Sequence, residues 1–255
     1  MSEPRARSVD ELPAIGEVSI CMGAFDGVHR GHLALVAATV NAAWERGVRP
    51  VALVFDPHPD EVVRPGAQVH RLAPLHENLR RLREAGIEPV PLRFDDALRN
   101  LTAEQFLASM APGIRVRGLV MTPESAFGRD RAGTPETMQE LGRVTGFELR
   151  VIDRLQSIHQ EPISSGRIRR ALGEGALDEA AVLLGHPPYL EGNIGSDGRV
   201  AFAYHPALPA EGSYRASIRE ATPRSVQLRI GHDRTVALVG AQMEGVVALD
   251  LLSRA

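Results

Sequence analysis

Two histidines lie three residues apart at the end of a glycine-rich turn. Residues 23–32 read Gly-Ala-Phe-Asp-Gly-Val-His-Arg-Gly-His. The apolar run 18–22 before this turn predicts a strand, and the run 33–44 after it predicts a helix. A turn that joins a strand to a helix N-terminus presents backbone N–H groups and the positive end of the helix dipole, which favours phosphate binding. His29 and His32 would add side-chain donors at the same point.

Two other interpretations of the histidine pair are weaker. The side chains could be surface or capping groups, or they could be metal ligands, but no further His/Cys cluster in the sequence completes a metal site. We therefore predict no metal bound by protein ligands alone. The chain contains no lysine, which excludes a P-loop lysine and a Schiff-base lysine. Phosphate chemistry here would depend on arginine, histidine and backbone amides.

The overall composition gives no reason to expect a nucleic-acid or membrane partner. The 255 residues carry a formal net charge of −3 and an isoelectric point near 6.3, so no global positive charge attracts an anionic polymer or surface. No apolar run approaches the roughly 20 residues of a membrane span. Residues 1–7 lack the apolar core of a signal peptide. The single cysteine, Cys21, is expected to be a buried structural thiol. The lack of a second cysteine for a disulfide, together with the lack of a signal peptide or membrane span, predicts a cytoplasmic protein.

Strand and helix patterns alternate over the first 185 residues. Further strands are predicted at 50–55, 89–94, 116–121 and 147–152, and further helices at 75–85, 106–110 and 136–144. Residues 102–105, Thr-Ala-Glu-Gln, form a capping-box pattern. The alternation predicts an α/β domain whose parallel sheet is covered by helices on both faces.

The pattern changes towards the end of the chain. Two short helices are predicted at 164–172 and 177–184, followed by β-rich runs at 214–218, 225–230, 235–239 and 245–251. We place a domain boundary near residue 187, which gives an α/β domain at 1–187 and a small all-β domain at 188–255. Within the first domain we expect Trp44 in the core, and Asn41, Arg80, Arg81 and Arg83 on solvated helix faces.

The turn at 23–32 resembles the HxGH signature of nucleotidyltransferases. With its Phe-Asp-Gly-Val-His lead-in, it is most similar to the adenylyltransferase domain of bacterial bifunctional riboflavin kinase/FAD synthetases. Residues 163–169, Ile-Ser-Ser-Gly-Arg-Ile-Arg, resemble the serine/arginine motif of that family, and residues 55–59, 101–106 and 127–133 also match it. The resemblance covers about residues 15–190.

The resemblance implies an enzyme that transfers AMP from ATP to FMN and releases pyrophosphate, with Mg²⁺ as cofactor. It implies catalytic roles for His29, His32 and Arg169, nucleotide or phosphate binding by Gly23, Ala24, Phe25, Asp26, Gly31, Ser164, Ser165 and Arg169, and substrate binding by Phe55, Pro57, His58, Pro59, Glu124, Phe127 and Arg129. For residues 56–60 a plain turn held by two prolines is an equal alternative. The phosphate of FMN is already anionic near neutral pH, so the site must supply positioning and countercharge rather than a base.

Three features depart from the family pattern. Residues 122–128 read Thr-Pro-Glu-Ser-Ala-Phe-Gly where the family has Gly-x-Asp-Phe-x-Phe-Gly, and Gly166 replaces a threonine. The Pro-Thr-Ala-Asn motif of the kinase domain is absent, because the corresponding residues 202–206 read Phe-Ala-Tyr-His-Pro. The resemblance implies a Rossmann-like nucleotidyltransferase domain. The β domain is expected to be a shortened, β-barrel-like and degenerate riboflavin-kinase-like module without kinase activity. Two alternatives stay open: a nucleotidyltransferase with another small phosphate-ester acceptor, and a non-catalytic nucleotide- or flavin-binding relative.

Overall fold

The chain folds into two compact units. The structure, a computed structural model, describes residues 5–153, 161–240 and 243–255. The first unit comprises Met1–Ala67 and Leu75–Gln156, and the second comprises Gln68–Pro74 and Ser157–Ala255. The second unit thus includes a short segment from the middle of the first, which we call the strap (Gln68–Pro74).

A five-stranded parallel sheet forms the centre of the first unit. The strands are β1 (Gly16–Gly23), β2 (Arg49–Asp56), β3 (Glu88–Arg93), β4 (Ile114–Met121) and β5 (Glu148–Val151), in the order β3-β2-β1-β4-β5. The helices are α1 (Arg30–Arg46), α2 (Pro59–Val63), α3 (Leu75–Glu84), α4 (Asp96–Arg99), α5 (Ala103–Met110) and α6 (Pro135–Thr145). This confirms the predicted Rossmann-like α/β fold.

Both faces of the sheet are buried, because successive strand residues point to opposite sides. One face packs Ile20 and Leu53 against Phe106 of α5 and Met138 of α6. The other face packs Cys21, Ala52 and Val54 against side chains of α1 and α3, namely Leu35, Val36, Leu79 and Leu82. Burial raises the pKa of the Cys21 thiol to about 12, so Cys21 is the structural thiol that the sequence predicted.

Two packing predictions on the helices are wrong. Trp44 is 81% exposed, because the buried stripe of α1 ends on Ala42 and Ala43 and the next residue turns away from the sheet. Arg81 is only 8% exposed, because its Nε donates to the buried Glu77 one helical turn earlier, at 2.7 Å. Three other expected surface residues are indeed exposed: Asn41, Arg80 and Arg83.

The predicted capping box is present at the start of α5. The Thr102 hydroxyl accepts the N–H of Gln105 at 3.1 Å, and the Gln105 side-chain oxygen accepts the N–H of Thr102 at 2.9 Å. The two bonds satisfy backbone donors that the helix leaves unpaired at its first turn.

The second unit is built on a six-stranded antiparallel sheet. Its strands are β6 (Tyr189–Ile194), β7 (Val200–Ala201), β8 (Gly212–Ile218), β9 (Arg224–Ile230), β10 (Val236–Val239) and β11 (Gly245–Arg254), in the order β10-β9-β8-β11-β6-β7. A bridge between Arg199 and Ala237 joins the two ends of the sheet, so the barrel is nearly closed. Edge strands are removed by such closure.

The second unit begins earlier than the boundary predicted near residue 187. Helices α7 (Ser165–Gly173) and α8 (Leu177–Leu184) bury Ile168, Leu172 and Leu183 in the same core as Tyr214 and Leu249 of the barrel. Their apolar faces therefore group them with the antiparallel sheet. Within the described ranges, no helix is both long and apolar enough to cross a membrane.

The strap is held in the second unit by backbone pairing and by an apolar anchor. The Arg71 N–H donates to the carbonyl of His205 at 2.7 Å, and the Ala207 N–H donates to the carbonyl of Arg71 at 2.8 Å. Leu72 is buried in the core of the unit. Arg71 and Pro206 thus form an isolated parallel β-bridge.

Candidate active site

The turn between β1 and α1 holds non-glycine residues in the left-handed region. Phe25 has φ +49°, Gly27 has φ +78° and Val28 has φ +41°. The Val28 N–H donates to the carbonyl of Phe25 at 3.1 Å and closes the turn. Positive φ is uncommon for a residue with a side chain and is an outlier for a β-branched one. The surrounding structure must hold this turn in place.

His29 and His32 form a stacked pair at the N-terminus of α1. Their ring centroids are 3.6 Å apart with 14° between the ring planes. His29 is the N-cap residue of α1, and its Nδ1 accepts the backbone N–H of His32 at 3.3 Å. The ring of Phe25 lies 5.2 Å from that of His32. The sequence prediction that both imidazoles stand at a helix start is therefore correct.

The electrostatic setting of this pair suits an anion. Burial, with the neighbouring His29 as a smaller cause, lowers the pKa of His32 well below its ordinary value. The imidazole of His32 is therefore neutral at pH 7 in the free protein. A bound phosphate would favour its protonation, and the helix N-terminus offers its dipole to the same anion.

A cavity of about 620 Å³ opens at the carboxyl ends of β1, β2 and β4. This is the edge at which open α/β sheets bind ligands. Gly23 and Ala24, from the start of the histidine turn, line one side. Four phenylalanines give the cavity an aromatic character: Phe55, Phe94, Phe106 and Phe127. Its volume lies within the range of small-molecule sites.

The structure sorts the predicted substrate-binding residues into two groups. Phe55, Pro59, Glu124 and Phe127 line the cavity, whereas the described lining does not include Pro57, His58 or Arg129. His58 instead caps α2, since its Nδ1 accepts the Asp60 N–H at 3.2 Å. The backbone N–H of Arg129 donates to the carbonyl of Leu101 at 2.7 Å.

The predicted phosphate-binding residues of the first unit also differ in exposure. Phe25 and Asp26 are buried residues of the turn, and Gly31 lies in the first turn of α1. The described lining of the cavity includes Gly23 and Ala24 but not these three residues.

Several lining residues were not predicted from the sequence. They include Phe94 and Phe106, and three arginines, Arg64, Arg99 and Arg131. Phe94 follows β3 directly at the carboxyl edge of the sheet, which was a usable signal. The arginines come from separate loops and helices, so no local pattern joins them.

The segment that departs from the family pattern forms a closed polar turn. The Ser125 N–H donates to the carbonyl of Thr122 at 3.0 Å, and the Thr122 N–H donates to the Ser125 hydroxyl at 3.0 Å. The two hydroxyls lie 2.9 Å apart. Thr122 and Ser125 thus satisfy one another, while Glu124 and Ser125 line the cavity.

The serine/arginine motif belongs to the second unit, at the start of α7. Ser164 is the N-cap residue, and its hydroxyl accepts the Arg167 N–H at 3.3 Å. Ser165 is the first helical residue. The Nε of Arg169 donates to the carbonyl of His70 in the strap at 2.6 Å. A helix N-terminus with two hydroxyls and a nearby guanidinium is suited to bind phosphate.

A model of the FAD synthetase family matches residues 13–167. This chain belongs to the FAD synthetase family. The match includes the histidine turn, the cavity and the first residues of α7, so the resemblance predicted from residues 23–32 and 163–169 is confirmed.

Several relatives of this member of the FAD synthetase family have names that give two activities. The bifunctional riboflavin kinase/FMN adenylyltransferase of Escherichia coli strain K12 is 34% identical over 191 residues, covering 73% of this chain and 60% of that protein. The enzyme of the same name from Listeria monocytogenes is 31% identical over 191 residues, covering 73% of this chain and 59% of that protein. The chain thus spans about three fifths of these relatives.

One solved structure shares the fold over nearly the whole chain. The macrolide-efflux protein of Streptococcus pneumoniae aligns with a TM-score of 0.84 at 22% identity, covering 98% of this chain and 89% of that one. At this level of identity the likeness establishes the architecture of an α/β unit followed by a β-barrel unit, and nothing about activity.

Proposed function

We propose that this member of the FAD synthetase family is an FMN adenylyltransferase, which transfers AMP from ATP to FMN. The observation that carries the proposal is the stacked His29–His32 pair at the N-terminus of α1, in a turn whose first residues line an aromatic cavity. The family match and the names of the bifunctional relatives support the same activity.

In the proposed reaction a phosphate oxygen of FMN attacks the α-phosphorus of ATP. A new P–O bond forms, the bond from the α-phosphorus to the bridging oxygen breaks, and pyrophosphate leaves with that electron pair. The phosphate of FMN is a dianion above pH about 6, so no side chain has to remove a proton. The protein must align the two phosphates and stabilise negative charge as it develops.

The histidine turn and the serine/arginine motif have separate proposed shares in this task. His29 and His32 would donate to the reacting phosphate oxygens, together with the N-terminus of α1. Ser164, Ser165 and Arg169 would bind the outgoing phosphates, Arg169 through the nitrogens of its guanidinium fork.

The cavity fits an aromatic acceptor. The rings of Phe55 and Phe94 lie 5.2 Å apart and those of Phe106 and Phe127 lie 5.8 Å apart. Rings at these separations form walls against which a planar heterocycle can pack. This supports FMN over a purely aliphatic phosphate ester, although the turn at Thr122–Ser125 differs from the family pattern and makes the acceptor the point to test first.

We propose that magnesium enters as part of the ATP complex. Among the described residues, no group of three or more His, Cys, Asp or Glu side chains could hold a metal ion by itself. Magnesium usually binds through one or two carboxylates together with substrate phosphates, and the cavity offers Asp60, Glu124 and Asp130. The residues present fit that mode. The ion would neutralise phosphate charge when bound.

The decisive experiment mixes purified protein with ATP, FMN and Mg²⁺ and follows FAD by chromatography and pyrophosphate by a coupled assay. We expect one pyrophosphate per FAD. Pyrophosphate release only with another phosphate ester would favour the second acceptor hypothesis. ATP or FMN binding by calorimetry without turnover on any acceptor would favour a non-catalytic relative.

A parallel reaction with riboflavin and ATP tests the β domain. We expect no FMN, because residues 202–206 replace the kinase motif. The sequence also predicts a cytoplasmic location and no nucleic-acid or membrane partner, and both stay predictions.

A further inference from the structure

We propose that Asn78 of α3 is a positioning residue that holds the Phe25–Val28 turn and thereby sets the geometry of the His29–His32 pair. The proposal rests on the function proposed above for that pair. Asn78 has no place in the motifs of the histidine turn or the serine/arginine segment, and it lies about fifty residues further along the chain than the turn.

The turn needs an external support. Phe25 and Val28 both adopt positive φ, and residues held in such sparsely populated regions persist only when neighbouring structure over-determines them. The internal bond from the Val28 N–H to the Phe25 carbonyl closes the turn, and holding these backbone angles in place takes a partner on a neighbouring element.

Asn78 supplies that partner. Its Oδ1 accepts the Gly27 N–H at 3.0 Å, and the bond is buried. Asn78 is 1% exposed. A buried backbone donor that loses its acceptor has no water to replace it, so removing this oxygen would destabilise the turn in its present conformation.

Two leucines that follow Asn78 on α3 reinforce the same contact. Leu79 and Leu82 of α3 lie in one apolar cluster with Phe25 and Val28. The strained residues are therefore packed against the helix that carries the hydrogen-bond acceptor, and α3 supports both the backbone and the side chains of the turn.

Side-chain bonds within α3 stabilise the helix that carries Asn78. Glu77 is 3% exposed and accepts Arg81 Nε at 2.7 Å, Arg80 Nε at 2.6 Å and Arg80 Nη2 at 2.8 Å. The three bonds join residues three or four apart on the same helix, so they support its helical conformation at Asn78.

The effect should reach the histidines because His29 directly follows Val28 and caps α1. If the turn relaxes, His29 moves relative to the first turn of α1. The stacking of the His29 and His32 rings then changes as well. Misplacement of catalytic groups by about 1 Å is enough to lower turnover substantially.

The experiment compares Asn78→Ala with Met138→Ala in the full-length protein. Met138 is buried in the cluster on the opposite face of the sheet, so its truncation destabilises the unit without touching the turn. Adenylyl transfer with FMN gives kcat and KM, and NMR titration of the histidine rings gives the pKa of His32 independently of activity. Asn78→Ser serves as the second variant if Asn78→Ala does not fold.

For Asn78→Ala we expect kcat to fall by about tenfold or more with KM for ATP changed much less, and the pKa of His32 to move back towards its ordinary value. Below its melting temperature, Met138→Ala should have a kcat and a His32 pKa near those of the wild type. An unchanged His32 titration and unchanged kcat in Asn78→Ala, or equal changes in Met138→Ala, would overturn the proposal. Wild-type protein that makes no FAD would refute the proposed function alone, because the titration would still test Asn78.

Discussion

Gly166, the second residue of α7, offers the sharpest test of the serine/arginine motif. The family pattern has threonine at this position. A Cβ added at Gly166 would lie 4.0 Å from the Ser164 hydroxyl, its nearest described neighbour, which is ordinary van der Waals contact. Gly166→Thr and Gly166→Ala are therefore expected to fold without displacement of other atoms.

The two variants separate helix stability from phosphate binding. Replacing a helical glycine by alanine stabilises a helix by roughly 0.5–1 kcal/mol, or a few degrees in melting temperature for a unit of this size. Threonine should gain somewhat less, because its β-branched side chain is stiffer in a helix. A hydroxyl that bonds a charged phosphate contributes about 1.5–3 kcal/mol, which is roughly a ten- to hundredfold gain in ATP affinity.

Affinity can be measured by calorimetry with a non-hydrolysable ATP analogue, alongside KM for ATP in the FAD assay. We expect Gly166→Thr to bind the analogue more tightly than Gly166→Ala, and both to melt above wild type. Gly173→Ala at the other end of α7, where an added Cβ meets no described atom within 4 Å, should raise the melting temperature only. Equal affinities for the threonine and alanine variants would refute the role of this position in phosphate binding.

Four further outcomes follow from contacts described above. His32→Ala should lower turnover by about 10²- to 10³-fold in the pyrophosphate assay, and a near-wild-type rate would remove His32 from the mechanism. Because the folded-state pKa of His32 is lowered, the unfolded chain takes up its proton first, so stability should be complete above pH about 6.5 and fall below it by at most about 1.4 kcal/mol per pH unit; urea titrations at several pH values should show a slope that is missing from His32→Ala. Cys21, with its thiol pKa raised to about 12 by burial, should react with a thiol reagent only after unfolding, and rapid labelling of native protein would contradict its burial. Glu77→Ala should lower the free energy of unfolding by about 3–5 kcal/mol, because Arg81 stays buried without its carboxylate, whereas a loss below 1 kcal/mol in denaturant titration would show that the cluster is dispensable.

Local sequence patterns predicted the elements of this protein well. Strands β1, β2 and β4 each contain four consecutive buried residues, and such apolar runs are a strong signal for strands buried on both faces. The capping box at Thr102 and the helix start at His29 follow from bonds between residues three apart, which a sequence displays directly.

Helix faces and the cavity were harder to predict. Helix α1 is apolar at almost every position from 33 to 44, so its buried side has no distinct period, and the exposure of Trp44 is set by the sheet. Arg81 differs from its exposed neighbours because it pairs with a buried Glu77. The arginines of the cavity and the contact between Gly27 and Asn78 join distant segments, and no single window of sequence contains both partners.

The strap has a consequence for the order in which this chain can be assembled during synthesis. Residues 205–207, with which Arg71 pairs, leave the ribosome long after the strap has emerged. The parallel sheet can form before then, whereas the pairing of Arg71 with residues 205–207 cannot, and a pairing between such distant residues is expected to form late. Unpaired backbone is readily cut by proteases. Cleavage within residues 68–74 would therefore mark nascent or truncated chains whose barrel is incomplete, and resistance at the same peptide bonds would mark chains that have finished folding.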